Sequence, residues 1–212
     1  MHTTAIAEPT TRHAQGLSAD SAPLASGPAR DALRQAMRQL SDVETQSGPG
    51  QPAALCHALT EAARALAGLH AYGPAESYLA QALRWATVLG GTDLRADLQC
   101  ALAEVATNAA DLAQWQDGAG AAGRRARDRA RDFAFEAARL AGQTTDPHWE
   151  VKLLLRASDV LDRCGDHDDA VLMQHRALVL MGLNTPELPA ADGPPSTNRH
   201  ESLQVTAPGT LM

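Results

Sequence analysis

An arginine-rich stretch is the part of this chain best suited to hold a ligand by charge. Its members are Arg124, Arg125, Arg127, Arg129 and Arg131. Two pairs of them are four residues apart, so on a helix like charges would lie side by side and destabilise it by roughly 0.2–0.5 kcal/mol per pair. One hypothesis is a patch that binds an acidic peptide or a phosphate through Arg124, Arg127 and Arg131. The alternative is a solvated face whose arginines pair with acidic residues on neighbouring helices.

An acidic cluster near the end of the sequence raises the question of metal binding. It contains Asp162, Asp166, Asp168 and Asp169, with His167 among them. The cluster lacks the alternating oxygen ligands and the central glycine of a calcium-binding loop. Asp166 is instead predicted to cap the N-terminus of a helix, where Asp168 and Asp169 would complement the positive end of the helix dipole. No metal site is predicted.

The chain has no strong catalytic motif. Residues 118–123 match GxGxxG, but they follow a predicted helix rather than the strand that a dinucleotide-binding fold requires. His57 and Glu61 are one helical turn apart and have no second histidine, which indicates a surface pair rather than a zinc site. An all-α enzyme would be favoured by a deep pocket that gathers His57, Glu61 and Asp93. We predict a non-enzymatic protein without a cofactor.

Composition and charge limit the classes of partner. The formal net charge is −7, which argues against a protein whose whole surface coats nucleic acid or an anionic membrane. No apolar run approaches the roughly 18 residues of a membrane span, and residues 1–20 lack the pattern of a secretory signal peptide. Three cysteines, Cys56, Cys100 and Cys164, show no CxxC spacing and are predicted to be reduced core thiols. These features favour a cytoplasmic protein.

Apolar residues recur in steps of three and four along the middle of the chain, which predicts an all-α fold. The predicted helices are 28–45, 52–69, 74–89, 93–115, 121–140, 147–164 and 166–181. On the long fourth helix the apolar stripe runs from Leu94 to Trp115. Asn108 interrupts this stripe and would need hydrogen-bond partners if it were buried.

The two ends of the chain differ in composition from its middle. Residues 1–27 and 183–212 are rich in Pro, Gly, Ser and Thr, and we predict that they are disordered. One folded domain is expected over residues 28–182. The polar N-terminal segment also supports a rival hypothesis, a secreted bacterial effector or secretion-associated protein with an uncleaved export signal. Deletion of residues 2–27 followed by an export assay would separate that hypothesis from a resident protein.

Short turns between consecutive helices predict three antiparallel hairpins, at about 52–90, 93–141 and 147–182. The second helix of the last hairpin has a turn glycine and small or apolar residues at Gly165, Ala170, Ala177, Leu178 and Leu180. Its first helix has packing residues at Leu154, Ala157 and Leu161. This spacing resembles the tetratricopeptide-repeat (TPR) family. The first hairpin matches at fewer positions and the middle one only at Ala130, Ala137 and Ala138, so the resemblance is degenerate.

The resemblance implies a TPR-like array of helical hairpins and, by analogy with that family, a protein-binding scaffold. Such arrays usually hold a peptide or a partner helix in a concave groove, and some three-unit arrays are bacterial secretion chaperones. We expect an adaptor or chaperone whose groove is lined by the first helices of the hairpins. The residues expected to contact the protein partner there are Arg95, Gln99, Asn108 and Arg156. A homo-oligomer is compatible with this fold. A nucleic-acid partner is not expected, because no exposed aromatic residues interleave the basic patch.

Overall fold

The computed structural model describes residues 27–118 and 120–183, and within them the chain forms seven helices and no strands. The helices are α1 (Gly27–Thr45), α2 (Gln51–Gly68), α3 (Tyr72–Leu89), α4 (Thr92–Asp117), α5 (Ala121–Ala141), α6 (Pro147–Cys164) and α7 (His167–Leu180). Every predicted helix is present, with its ends displaced by at most two residues, so the predicted all-α fold is confirmed. The segments predicted to be disordered lie outside the described residues, except for Gly27, which begins α1, and Leu183.

Consecutive helices pack side by side to form an array of three hairpins. α2 packs against α3, α4 against α5, and α6 against α7, and the turns within each pair are short enough to make its helices antiparallel. The hairpins are joined because α3 packs on α4 and α5 on α6, while α1 packs on α2 at the N-terminal end. α4 also contacts α6 directly. The first helices of the second and third hairpins therefore contribute side chains to one common surface.

The turns within the first and last hairpins use the same left-handed backbone conformation. Gly165 ends α6 with φ +92°, and His70 has φ +59° at the corresponding turn after α2. A side chain at such a φ costs roughly 1–2 kcal/mol that glycine avoids. The Nδ1 atom of His70 lies 2.8 Å from the hydroxyl oxygen of Tyr72, a local hydrogen bond that offsets part of this strain. The turn after α2 therefore has the same left-handed conformation as the turn after α6, although it has a histidine in place of a glycine.

Alanines allow the helices to approach closely. Alanines with no exposed surface occur on every helix from α2 to α7, at Ala62, Ala75, Ala82, Ala103, Ala137, Ala157 and Ala177. Leucines fill the spaces between them, and those on α4 and α6 with at most 1% of their surface exposed are Leu98, Leu102, Leu153, Leu154 and Leu161. Each hairpin has a narrow apolar face, so stacking the hairpins is what completes the core.

The predicted apolar stripe on α4 is wrong at its two ends. Trp115 is 83% exposed and Leu94 is also exposed. Residues 114–118 are all exposed, so the last turn of α4 has no neighbouring helix that could bury the indole ring. The middle of α4 lies among α3, α5 and α6, and it buries residues on more than one face, including Cys100, Ala103 and Ala106. A single stripe does not describe a helix that has neighbours on several sides.

The aspartates that precede α6 and α7 have different roles. Aspartate followed by proline, as at Asp146, is typical of a helix start, and Asp146 does cap α6, because its Oδ1 accepts a hydrogen bond of 2.9 Å from the backbone N–H of His148. Asp166 stands at the start of α7, but its side chain makes no capping hydrogen bond. Its Oδ2 instead accepts a 2.5 Å hydrogen bond from Nε of Arg131 on α5. A charge-assisted bond of this kind is stronger than a bond to a neutral backbone N–H, so the arginine takes the carboxylate.

Candidate functional site

A groove runs across the first helices of the three hairpins. It has a volume of about 390 Å³ and is lined from α2, α4 and α6, with Leu79 of α3 at its base. The lining residues of α2 are Thr60, Ala63, Arg64 and Ala67, those of α4 are Asp97, Ala101, Glu104, Val105 and Asn108, and those of α6 are Trp149, Lys152 and Arg156. The direct contact between α4 and α6 brings two of these rows together.

Charged side chains join the α4 and α6 sides of the groove. Arg156 donates a 2.7 Å hydrogen bond from Nε to Glu104 and a 2.5 Å bond from Nη1 to Asp97. Burial opposes the charge on Arg156, but the hydrogen bond to Glu104 and the two negative charges outweigh it and raise the pKa of the guanidinium. Asp97 and Glu104 are seven residues apart, which places both on the same face of α4. The two helices are thereby held in a fixed position.

The α6 side of the groove also carries an aromatic platform. The Nζ of Lys152 lies 4.3 Å from the centroid of the Trp149 ring, within the range of a cation–π interaction. The indole Nε1 of Trp149 is buried and has no hydrogen-bond partner among the described residues. Buried donors are normally paired, and one left unpaired costs roughly 1–3 kcal/mol. This N–H is closed to solvent, so it is not an open contact point in the groove.

A second hollow lies between α1 and α2, with a volume of about 610 Å³. Arg64 lines both hollows, so they adjoin at this residue. His57 and Glu61 face the second hollow, where Glu61 pairs with Arg64 on the same helix. Asp93 does not line it and lies in the first turn of α4. The three residues that would favour an enzyme are thus not gathered in one pocket.

The four residues predicted to line the groove divide into two pairs. Asn108 and Arg156 line it, and the Oδ1 of Asn108 accepts a 2.8 Å hydrogen bond from Arg163, which supplies the partner that the sequence required. Arg95 and Gln99 are not among the lining residues. Arg95 lies two positions before Asp97, and Gln99 lies two positions before Ala101, which on an α-helix is about half a turn around the axis. Partner binding by these two remains a prediction without support from their position.

Sequence reasoning did not select several lining residues: Asp97, Glu104, Trp149 and Lys152. A usable signal was present on α4, since Asp97, Ala101, Glu104 and Asn108 recur in steps of four and three. This row lies beside the apolar stripe of the same helix, and the sequence prediction was based on the apolar stripe. The lone lysine, Lys152, also stands out because every other basic residue is an arginine.

The arginine patch of α5 is largely occupied by contacts within the protein. Arg129 forms a two-pronged ion pair with Glu76 of α3, with hydrogen bonds of 2.8 and 3.1 Å. Arg127 donates to Gln114 of α4, and Arg131 binds Asp166. These contacts are those expected from the interpretation in which the arginines pair with neighbouring helices. Binding of a partner through Arg124, Arg127 and Arg131 remains a prediction.

The thiols have properties of structural residues. Cys56 and Cys100 are buried, Cys164 is half-buried, and none of them forms a disulfide. Burial raises the pKa of Cys100 to about 12, so its thiol is protonated at neutral pH and is a poor nucleophile. Burial also raises the pKa values of Cys56 and Cys164. Oxidation or metal binding by Cys56 or Cys100 would first require the helices around them to open.

The part of the chain that the structure describes contains no group of three or more His, Cys, Asp or Glu residues placed to hold a metal ion. In the acidic cluster, the Oδ1 of Asp162 lies 2.7 Å from Nδ1 of His167, and Asp166 is bound by Arg131. Among the helices described, none is both long and apolar enough to cross a membrane.

Comparisons with known proteins add little to this geometry. No family model matches the chain, and no curated protein matches it. Among solved structures, the chain is similar to the crystal structure of BtubC (BKLC) from P. vanneervenii, with 17% sequence identity over 76% of this chain and 77% of that one. The TM-score of this match is 0.34. A similarity this low assigns neither a fold family nor a function.

Proposed function

We propose that this protein is a non-enzymatic scaffold, an adaptor or a chaperone, that binds a peptide or a partner helix in the groove between α2, α4 and α6. The observation that carries the proposal is the alignment of the first helices of successive hairpins along one open groove. The TPR-like spacing supports it as well. Gly165 has the left-handed conformation that the repeat turn needs, and Ala170 and Ala177 are buried where the two helices meet.

The lining of the groove favours an extended or helical polypeptide over a small molecule. Ala63, Ala67 and Ala101 leave space for side chains that a partner would insert. Lys152, which lies over the Trp149 ring, offers a charged donor in the groove, and a backbone carbonyl is an acceptor that a polypeptide always carries. The groove combines small apolar residues with charged groups of both signs, which is the character of a surface that orients a polypeptide partner.

The charges in the groove predict the character of the partner. Arg64 and Lys152 line opposite sides, and Asp97 and Glu104 lie between them with Arg156. Since both signs are present, we infer a partner with acidic residues facing the sides and few acidic residues facing α4. A cytoplasmic location belongs to the same proposal, and the three unpaired thiols support it.

The experiment blocks the groove with a bulky side chain and leaves the residues of its ion pairs unchanged. Peptides that bind the full-length protein are selected from a random display library, and their affinities are measured by fluorescence anisotropy. Ala101→Trp places a large ring in the groove, and we expect it to weaken the selected peptides by about tenfold or more, because the space they occupy is lost. Gln81→Trp adds the same ring at an exposed position of α3 outside the groove and serves as the control.

Two results would refute the proposal. The first is a set of selected peptides that bind the Ala101→Trp variant as tightly as the unchanged protein. The second is an equal loss of affinity in the Ala101→Trp and Gln81→Trp variants. Circular dichroism of both variants shows whether the helices are retained, so a loss of binding is separated from a loss of fold.

A further inference from the structure

The outward face of α7 is apolar although it lies at the end of the array. Leu172 is 65% exposed and Val179 is 55% exposed, and their seven-residue spacing places them on the same face. The opposite end is different, because α1 presents the exposed polar residues Asp31, Arg34 and Arg38. A helical-repeat array needs a polar outer face at its ends to remain soluble. The face of α7 is therefore a surface that another molecule is expected to cover.

Charged residues are arranged symmetrically around Leu172 on this helix. Asp168 lies four residues before it and Arg176 four residues after it, while Asp169 and His175 lie three residues before and after. All four are within about one turn of Leu172, so they flank it on the same side of α7. An antiparallel copy of α7 centred on Leu172 would place each acidic residue opposite a basic one. The face is complementary to itself.

We propose that α7 pairs with α7 of a second copy of this chain across a two-fold axis at Leu172. On a helix, Asp168 and His175 lie to one side of Leu172, and Asp169 and Arg176 lie to the other. In the pair, Asp168 of each copy therefore lies nearest His175 of the other, and Asp169 lies nearest Arg176. Arg176 donates to Glu150 of its own chain but remains exposed, so it has N–H groups left for this contact.

A shallow cleft beside α7 extends the apolar surface of this interface. Its volume is about 270 Å³, and its apolar lining consists of Ala138, Leu154, Leu172 and Met173. Asp169, Arg139 and Arg176 form its polar rim. An apolar centre with a charged rim is the usual composition of a protein–protein interface.

A two-fold pair accounts for the surface better than stacking of arrays end to end. End-to-end stacking would place the apolar face of α7 on α1, whose outer side carries Asp31, Arg34 and Arg38. That arrangement would bury charged groups of α1 against the apolar residues Leu172 and Val179, at a large desolvation cost. A two-fold interface uses the same patch on both copies and closes after two subunits, so it does not grow into a filament.

The experiment measures the mass of the full-length protein by sedimentation velocity over micromolar to millimolar concentrations. We expect the unchanged protein to approach twice the mass of one chain as its concentration rises. Leu172→Asp and Leu172→Arg, each alone, should weaken association by about a hundredfold or more, because two like charges face each other at the axis. An equimolar mixture of the two variants should restore the double mass, because an aspartate then faces an arginine.

The control is Val88→Asp, which adds the same charge at a more exposed valine on α3. It should leave association unchanged. The proposal is overturned if the unchanged protein keeps the mass of one chain throughout, if it forms larger assemblies than a pair, or if mixing the two Leu172 variants restores nothing. Equal losses in the Val88→Asp and Leu172→Asp variants would also overturn it, since the effect would then not depend on α7.

Discussion

Replacing Arg156 by methionine should lower the free energy of unfolding by about 2 kcal/mol. The methionine keeps the apolar part of the side chain but removes the guanidinium that joins α6 to α4. Asp97 and Glu104 are then left beside each other on α4 without their common partner. The variant loses both ion pairs that Arg156 forms among the described residues, one with Asp97 and one with Glu104. The two carboxylates then repel each other.

The magnitude follows from the two hydrogen bonds and their exposure. A hydrogen bond to a charged group contributes roughly 1.5–3 kcal/mol when it is buried, whereas an exposed ion pair contributes roughly 0–1 kcal/mol. The side chain of Arg156 is 26% exposed and that of Glu104 is 39% exposed, so solvent screens both bonds in part. About 1 kcal/mol for each bond gives the total of about 2 kcal/mol. For a domain of this size, that loss corresponds to a decrease in Tm of about 4–8 °C.

Urea unfolding followed by circular dichroism measures the change. Arg64→Met is the matched control, because among the described residues Arg64 pairs only with Glu61 of its own helix, and its side chain is 68% exposed. That control should lose no more than about 0.5 kcal/mol. Equal losses in the Arg156→Met and Arg64→Met variants would refute the assignment of Arg156 as the link between α4 and α6.

A further variant separates the lost attraction from the stranded charges. Adding Asp97→Asn and Glu104→Gln to Arg156→Met removes both carboxylates, so no unpaired charge remains between the helices. We expect this triple variant to regain at least half of the lost stability, since replacing all partners of a polar network is less damaging than replacing one. A triple variant less stable than the single one would contradict this explanation.

Two further predictions concern a buried thiol and the glycines at helix ends. The pKa of Cys100 is about 12 in the folded protein and about 9 for a free thiol, so folding favours the neutral form. The stability that the neutral thiol contributes is complete below a pH of about 9 and decreases as the pH rises toward about 12. Cys100→Ala should therefore reduce the fall in the urea midpoint between about pH 8 and pH 10. Parallel pH profiles of the variant and the unchanged protein would exclude this effect of Cys100. Gly165→Ala should lower stability by roughly 1 kcal/mol because φ is +92°, whereas Gly68→Ala should raise it by roughly 0.5 kcal/mol, since both sites are open but only the first is left-handed. Changes of the same sign would refute the backbone argument.

Local patterns predicted the helices because their signals lie within a few residues. Asp146 followed by Pro147 predicted the start of α6, and Gly165 predicted its end. The groove was predicted only in outline. The first helices of the hairpins were correctly expected to line one surface, but the rotation of α4 about its axis was not. That rotation depends on α3, α5 and α6 together, and no short stretch of sequence contains their combined effect.

The sequence by itself determined the class of fold, the helices with their ends, and the pairing of helices into hairpins, because helical periodicity, glycine turns and short connections act locally. Tertiary structure alone decided which polar residues of different helices meet. It directed Asp166 to Arg131 instead of the end of its own helix, and it left Trp115 exposed. It also placed Arg156 between two carboxylates of α4. These outcomes depend on distances between helices remote in the chain, which become fixed only when the alanine-rich faces pack.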